Sequence, residues 1–563
     1  MTEPRSSSAA DSIRTLTRAA VEAAWSRAVA SGTLPALEPT TPIPVEIERP
    51  ADPAHGDLAT SLALKLARPC RMSPLAIAAA LATELQGAAT ADLLSSVEVA
   101  PPGFLNLVIA DAALERTIAA VRAAPAGWGR LTNAAPEHVN VEFVSANPTG
   151  PLHVGNARGA FVGDLLCRVL EAGGHTVTRE YYFNDFGEQI RQLGSSVAAL
   201  RAGEEMPEGG YRGAYVADLA RDVPDGIWAE ATGPGADRDW VVGAWASERV
   251  RLGIEASLAD LGVRFDVWKS EGSLHSEGWV ERAIERLRAG GHAYEADGAL
   301  WFRSTAFGDD KDRVIVRSDG RPTYFGSDIG YVTEKFSRGF DRLIYIWGAD
   351  HHGTVARVRN AAEAMGYDKS AVQMLLVAWV RFVLDGVEVS MSKRAGEFIT
   401  LDQLLAEIGP DAARWYFGSR AYTTEIDLDI ELAKKQSSEN PVYYVQYAHA
   451  RIASILRKAA DAGLSPTTDL AGAVSGAPEA ALARVVVRLP DVVEDAAAAE
   501  ETQGVLAFAT DLATAFHAFY RDARVVDPAD PGRSALRLAL VDATRITLAN
   551  TLGLLGISAP DSM

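Results

Sequence analysis

Two short polar strings, far apart in the chain, carry residue types suited to phosphate chemistry. The first runs Asn147, Pro148, Thr149, Gly150, Pro151, Leu152, His153, Val154, Gly155 and Asn156. It follows an apolar stretch from Val139 to Val144 and precedes an Ala-, Gly- and Leu-rich stretch at 157–172. Strand, glycine-bearing loop, helix is the opening of a nucleotide-binding α/β unit, in which a helix N-terminus faces an anion. Gly155 lets backbone approach a nucleotide closely, and His153 at that N-terminus can donate to phosphate oxygens. A lone His-x-Gly string is weak by itself; its neighbours and a partner string give it weight. The second string is Ser390, Met391, Ser392, Lys393 and Arg394, with Gly396 just beyond. It supplies cations that can reach a phosphate, and reads as a mobile loop or a plain surface turn.

A third string, Trp347 to Gly353, follows the apolar run Arg342 to Trp347. Gly348 lets a flat base lie on the backbone, with Asp350 and His351 beside a ribose. The neighbouring histidines His351 and His352 diverge and have no evident third ligand, so we read no metal here.

The elements that must hold these strings alternate. Strand patterns occur at Val139–Val144, Thr176–Tyr182, Val314–Arg317, Arg342–Trp347 and Met374–Val380, with helical patterns between them, which favours a mostly parallel sheet. Before them, residues 12–31 are Ala-rich with helical spacing, Val45–Glu48 reads as a strand, and Asp57 opens an apolar helical run. Ser73 and Pro74 start another helix, and Phe104–Ile109 reads as a strand. Residues 1–10 are polar and read as disordered; 124–136 read as a linker. After about residue 440 strand signals fade. An Ala/Leu/Val-rich helical segment follows, broken near 464–477 and 527–533, and the Ala/Glu run at 496–501 reads as a helix face. The fold class is α/β: a Rossmann-like parallel-sheet catalytic domain at 121–435, an N-terminal α+β domain at 1–120, and a C-terminal all-α bundle at 436–563.

The 563 residues carry a net charge of −20, with 48% hydrophobic and 23% charged residues. These are ordinary globular proportions. The acidity argues against a nucleic-acid partner, because phosphate contacts come from Lys and Arg. Yet net charge reports on solubility more than on one surface, and 54 Lys and Arg suffice for a local basic face. Cys70 and Cys167 are the only cysteines, so neither a disulfide framework nor a cysteine zinc site is supported. No apolar run of about 18 residues and no signal core occur, which reads as a cytoplasmic protein.

Taken together, Glu142 to Ala160, Tyr182 to Gly187, Trp347 to Gly353, Met391 to Gly396, Asp411 to Phe417 and Glu439 to Arg451 resemble arginyl-tRNA synthetases of the bacterial type, a class I family. They occur in family order over nearly the whole chain. The first and fourth correspond to the family's HIGH and KMSKS signatures, with two departures: Asn156 stands where the last HIGH histidine would be, and Ser390 where the first KMSKS lysine would be. Lys393 is then the family lysine left in that loop.

The resemblance implies activation of L-arginine by ATP with Mg²⁺, then transfer to the 3′ end of tRNA(Arg), in a monomer that needs tRNA for activation. His153 and Lys393 would be catalytic, stabilising the α-phosphate and the departing pyrophosphate. The string Asn147–Asn156, with Gly348, Asp350, His351, Met391, Ser392 and Lys393, would bind ATP. Reading a planar guanidinium takes carboxylates. Glu142, Tyr324 and Asp328 would hold it, Tyr324 and Asp328 sharing a face at i and i+4, while Ser145 and Asn147 would hold the amino-acid backbone. The last third resembles the family's anticodon-binding domain. There Tyr443, Gln446, Tyr447 and Arg451 would meet tRNA, aromatics stacking on unpaired bases, although rings at helical spacing also serve cores. The N-terminal domain resembles one that meets the tRNA elbow. Alternatives are another class I synthetase, an adenylating enzyme with a small acceptor, and a non-catalytic tRNA-binding paralogue. The cysteinyl enzyme lacks support without its zinc cysteines, and a small acceptor leaves the helical last third unexplained.

Overall fold

The computed structural model describes residues 12–37, 43–87, 90–384, 387–388 and 400–563. The first helix, Ile13–Ala30, is capped by Ser12, whose hydroxyl accepts from the Thr15 N–H at 3.0 Å. Strands Leu58–Thr60, Leu94–Ala100 and Phe104–Ile109 form an antiparallel sheet with Phe104–Ile109 in the middle. Two expectations fail here. Val45–Glu48 is not a strand; Glu48 alone bridges Ala59. The run from Asp57 opens as a strand, and its helix begins only at Leu62. Asp57 is a joint rather than a cap: its carboxylate accepts from the Ile109 N–H and from Arg484, each at 2.8 Å. The helix expected at Ser73 and Pro74 is Pro74–Leu85.

The central sheet is parallel: β1 (His138–Phe143), β2 (Thr176–Phe183), β3 (Val267–Ser270), β4 (Arg342–Gly348) and β5 (Val372–Val377), in spatial order β5-β4-β1-β2-β3. β3 went unforeseen, being short and half-buried throughout, with no apolar run to mark it. The strand at Arg313–Val316 lies instead at the edge of a separate antiparallel sheet with Ala293–Ala296 and Ala299–Phe302. β1 is covered on both faces, as parallel strands are: Val139, Val141 and Phe143 are buried, and so are Asn140 and Glu142. From β1 the chain steps one way to β2 and β3, then returns to the other side of β1 for β4 and β5. That places the topological switch point between β1 and β4, where ligands of open α/β sheets bind at the strands' carboxyl ends.

Five helices matter below. α1 (Val154–Ala172) follows β1 and is almost wholly buried. α2 (Tyr324–Ser337) leads into β4. α3 (Leu401–Gly418) begins in a capping box between Thr400 and Gln403 and is broken at Gly409 (φ 76°, ψ 162°), just before Pro410. α4 (Pro441–Asp461) opens a bundle of five helices. The last of these, α5 (Pro531–Leu555), is long and apolar enough to cross a membrane, but 67% of its most apolar window is buried inside the bundle. The Ala/Glu run at 496–501 ends a helix rather than facing one. Glu500 sits at φ 55°, and its carboxylate takes Arg342 of β4 at 2.7 Å.

Candidate active site

At the carboxyl end of β1 the buried Glu142 meets a cation. Its Oε2 accepts from Lys335 Nζ at 2.7 Å, and its Oε1 from the Ser145 hydroxyl at 3.1 Å. Lys335, fully buried near the end of α2, lies over the rings of Tyr331 and Tyr345 at 4.3 and 3.9 Å. Beside it, Glu180 of β2 is held bidentately by Arg338 at 2.7 and 2.8 Å, and also accepts from Asn140 and the Tyr331 hydroxyl. Burial works to raise its carboxyl, but Lys335, Arg338 and Tyr331 outweigh that and hold it below the usual range. This network was not foreseen from sequence; the legible signal was polar Asn140 and Glu142 inside an otherwise apolar strand.

Next to Glu142, Asp328 behaves differently. Among the described residues no Lys, Arg or His reaches its carboxyl group, and burial, then Glu142, then Glu271, push it up to about 7. Glu271, buried at the end of β3, is a third acid that sequence reasoning missed. The phenol of Tyr182 is raised by burial and then by Glu271, Asp328 and Glu142, so all three carboxylates lie within electrostatic reach of one phenol. An acidic pit with one internal cation and one unpaired carboxyl is suited to a second, incoming cation. Tyr324 stands on the rim, one turn before Asp328 on α2 and 70% exposed.

The loop after β1 is strained at its start: Val144 and Ser145 both have positive φ, 68° and 42°, a conformation that costs about 1–3 kcal/mol per non-glycine residue. It is over-determined by its bonds. The Ser145 hydroxyl accepts from the Tyr182 N–H at 3.2 Å, and Tyr181 both donates to the Ala146 carbonyl and accepts from the Ala146 N–H. Asn147 donates to Gln189 at 2.9 Å, a partner the sequence did not announce. Pro148, Leu152 and Val154 are buried, so their side chains serve the core and only their backbone is left to meet a nucleotide.

His153 is the N-cap of α1. Its Nδ1 accepts from the Gly155 N–H at 3.0 Å, while the His153 N–H donates to Asn156 Oδ1 at 3.4 Å. In neutral form the ring proton therefore sits on Nε2, which makes that nitrogen a donor. Asn156 closes this capping box, a role that needs an acceptor and no charge. Across the switch point, β4 ends at Gly348, and His351 follows in a short 3₁₀ turn with its ring 5.5 Å from Trp347. The Asp350 side chain and Met391, Ser392, Lys393 and Gly396 lie outside the described residues. The chain that follows them returns to this site: Leu401 donates to the Leu152 carbonyl at 3.0 Å, and Thr400 bridges His153.

On α4, Tyr443 and Tyr447 are stacked 8° from parallel, and Arg451 lies over Tyr447 at 5.2 Å and over Tyr520 at 5.0 Å. This outer stripe presents flat rings and a cation. Gln446 is not part of it. It is buried, and its amide is committed to Asp411 at 2.8 Å and to Ser558 at 3.0 Å, so the expectation that it meets tRNA is corrected.

Comparison with known proteins now adds to this geometry. Three family models match the chain: the arginyl tRNA synthetase N terminal domain over 14–109, the class I (R) tRNA synthetase catalytic domain over 128–208 and 248–415, and the DALR anticodon binding domain over 445–563. An arginine–tRNA ligase of Moorella thermoacetica is 47% identical over 529 residues, which is 92% of this chain and 93% of that protein. One from Citrifermentans bemidjiense is 44% identical over 92% and 95% of the two chains. The solved arginyl-tRNA synthetase of Thermus thermophilus, 23% identical, superposes with a TM-score of 0.75 over 98% of this chain and 100% of its own, a likeness of fold.

Proposed function

The chain belongs to the arginyl-tRNA synthetase family and ligates arginine to tRNA; from that premise we propose which of its residues carry the reaction. The observation that supports the assignment most is the pit, where Glu142 and Glu271 lie within electrostatic reach of Asp328 and, among the described residues, Asp328 has no cation of its own. The guanidinium enters there. Asp328 and Glu271 receive it, Tyr324 closes over it from the rim, and Lys335 holds Glu142 in place. A lysine substrate lacks the planar fork that two carboxylates read, and citrulline lacks the charge. Ser145 and Asn147 orient the amino-acid backbone.

ATP enters as its magnesium complex along Asn147–Asn156 and the Gly348 turn, with Asp350 and His351 at its ribose and Met391 and Ser392 beside it. The arginine carboxylate attacks the α-phosphorus, and the bond to the β-phosphate oxygen breaks to release pyrophosphate. The terminal tRNA ribose hydroxyl then attacks the activated carbonyl, and AMP leaves. His153, with its proton on Nε2, and Lys393 stabilise charge on the phosphoryl oxygens; the chemistry is positioning and electrostatics rather than acid–base catalysis. Residues 1–120 meet the tRNA elbow, 121–435 carry the reaction, and 436–563 read the anticodon through Tyr443, Tyr447 and Arg451. The enzyme works as a cytoplasmic monomer.

Pyrophosphate exchange into ATP, run with each of the twenty amino acids with and without tRNA(Arg), tests this. The expected result is exchange with arginine alone and only when tRNA is present, abolished by Lys393→Ala. Exchange with another amino acid sinks the pit assignment. No exchange by a folded protein that still binds tRNA points to a non-catalytic paralogue.

A further inference from the structure

One helix joins the reaction centre to the bundle, and it is built in two halves. The start of α3 is bonded to the His153 loop through Leu401 and Thr400. Its second half is fixed elsewhere. The buried Arg414 donates to Asp164 of α1 at 2.8 Å, to the Leu261 carbonyl at 3.0 Å and to the Leu555 carbonyl at the end of α5 at 3.2 Å. Between the halves, Gly409 is non-helical, with open space where a Cβ would stand. Pro410 has no N–H to continue the ladder. The halves can therefore change their mutual angle at little cost in hydrogen bonds, as hinges do.

Immediately past the break stands Asp411. Its carboxylate accepts from Gln446 of α4 at 2.8 Å, from the Ser558 N–H at 3.1 Å and from the Ser558 hydroxyl. Ser558 belongs to the C-terminal tail, which is also held by His449 of α4 through the Pro560 carbonyl at 2.9 Å and by Arg457 through the Asp561 carbonyl at 3.1 Å. Gln446 lies between Tyr443 and Tyr447 in sequence but faces inward. A base stacked on the outer face of α4 thus has a continuous bonded route to the His153 loop, through packed helix and charge-assisted hydrogen bonds.

Resting on the functional reading above, we propose that Asp411 is a positioning residue. Its clasp on Gln446 and Ser558 carries contacts made at the Tyr447 stripe through α3, across the Gly409 break, to the His153 loop.

The test is a double-mutant cycle on the full chain with full-length tRNA(Arg) at saturation: wild type, Asp411→Ala, Tyr447→Ala and the pair, each read as kcat for arginylation. Each single change is expected to lower kcat about tenfold, the scale of coupling between distant sites. The pair should be no slower than Asp411→Ala alone, because both cut the same route. Ser558→Ala, which removes an exposed hydroxyl, repeats the cycle if Asp411→Ala does not fold. Additive losses near a hundredfold, or an unchanged kcat in either single variant, overturn the proposal. A wild type that charges no tRNA with arginine overturns the functional reading as well; one that charges it and shows additivity overturns only this inference.

Discussion

In the proposed reading, the pit and the outer stripe of α4 receive opposite charges on the same acidic chain, and they do it by opposite means. The pit would take a small cation on Asp328 and Glu271, while the carboxylates beside them are balanced from within, Glu142 by Lys335 and Glu180 by Arg338. The stripe would meet a polyanion in a domain with more acids than bases. It relies on exposed rings and one guanidinium, Arg451, already laid over two of them. Inside, selectivity comes from an unpaired charge that desolvation makes costly. Outside, affinity comes from stacking, which tolerates the surrounding acidity because every base has a flat face.

Removing an internal cation should break the comparison most. Lys335→Met leaves Glu142 buried without its partner, and the loss of a buried pair's cation costs about 3–5 kcal/mol. Denaturant unfolding should show a collapse of that size, whereas Tyr447→Ala should leave the unfolding curve nearly unmoved; equal effects would erase the distinction between the two regions.

Asp328→Asn comes next. It should lower kcat/KM for arginine about a hundredfold, the worth of a charge-assisted contact, while the Kd for tRNA stays put. In the wild type, KM for arginine should climb as pH falls below about 7, where Asp328 becomes protonated; a KM that is flat from pH 6 to 8 would contradict the assignment. The linkage sign runs the other way for stability. Folding raises this carboxyl above its ordinary value, so its favourable contribution is present at low pH and lost as pH rises through about 7. Asp328→Asn should therefore raise the unfolding temperature at pH 8, the cost to function notwithstanding.

Tyr447→Ala sharpens the other side. Loss of one stacking ring should weaken tRNA binding about tenfold, measured by filter binding, with KM for arginine unchanged. The smallest effect is Asn156→Ala, which removes one capping contact worth about 1 kcal/mol; a larger drop in unfolding temperature would give Asn156 more than the capping role.

Much of this was legible in the chain. Strand, glycine loop and helix put His153 at a helix N-terminus, and polar residues inside the β1 run marked the buried network at the end of that strand. Lys335, Glu271 and Arg338 were not legible. Lys335 lies near the end of α2, Arg338 caps it, and Glu271 follows the short β3; their convergence depends on where α2 ends against the strand ends, which no local spacing encodes. Gln446 misled for a geometric reason: Tyr443, Tyr447 and Arg451 recur every fourth residue on one face, and a residue one step short of Tyr447 lies about 100° away, toward the core. Asp57 misled because a cap and a long-range joint use the same residue type, and the distant Ile109 N–H and Arg484 distinguish them.

An unpaired carboxyl held near neutrality also keeps accounts with the solvent. Arginine arrives already charged, and in the proposed reading Asp328 must give up whatever proton it holds to receive it. Each binding event near pH 7 thus expels a fraction of a proton into the medium. The heat of arginine binding should then vary with the ionisation enthalpy of the buffer, so a pair of calorimetric titrations in two buffers counts, from outside the protein, how full that one carboxyl was before its ligand came.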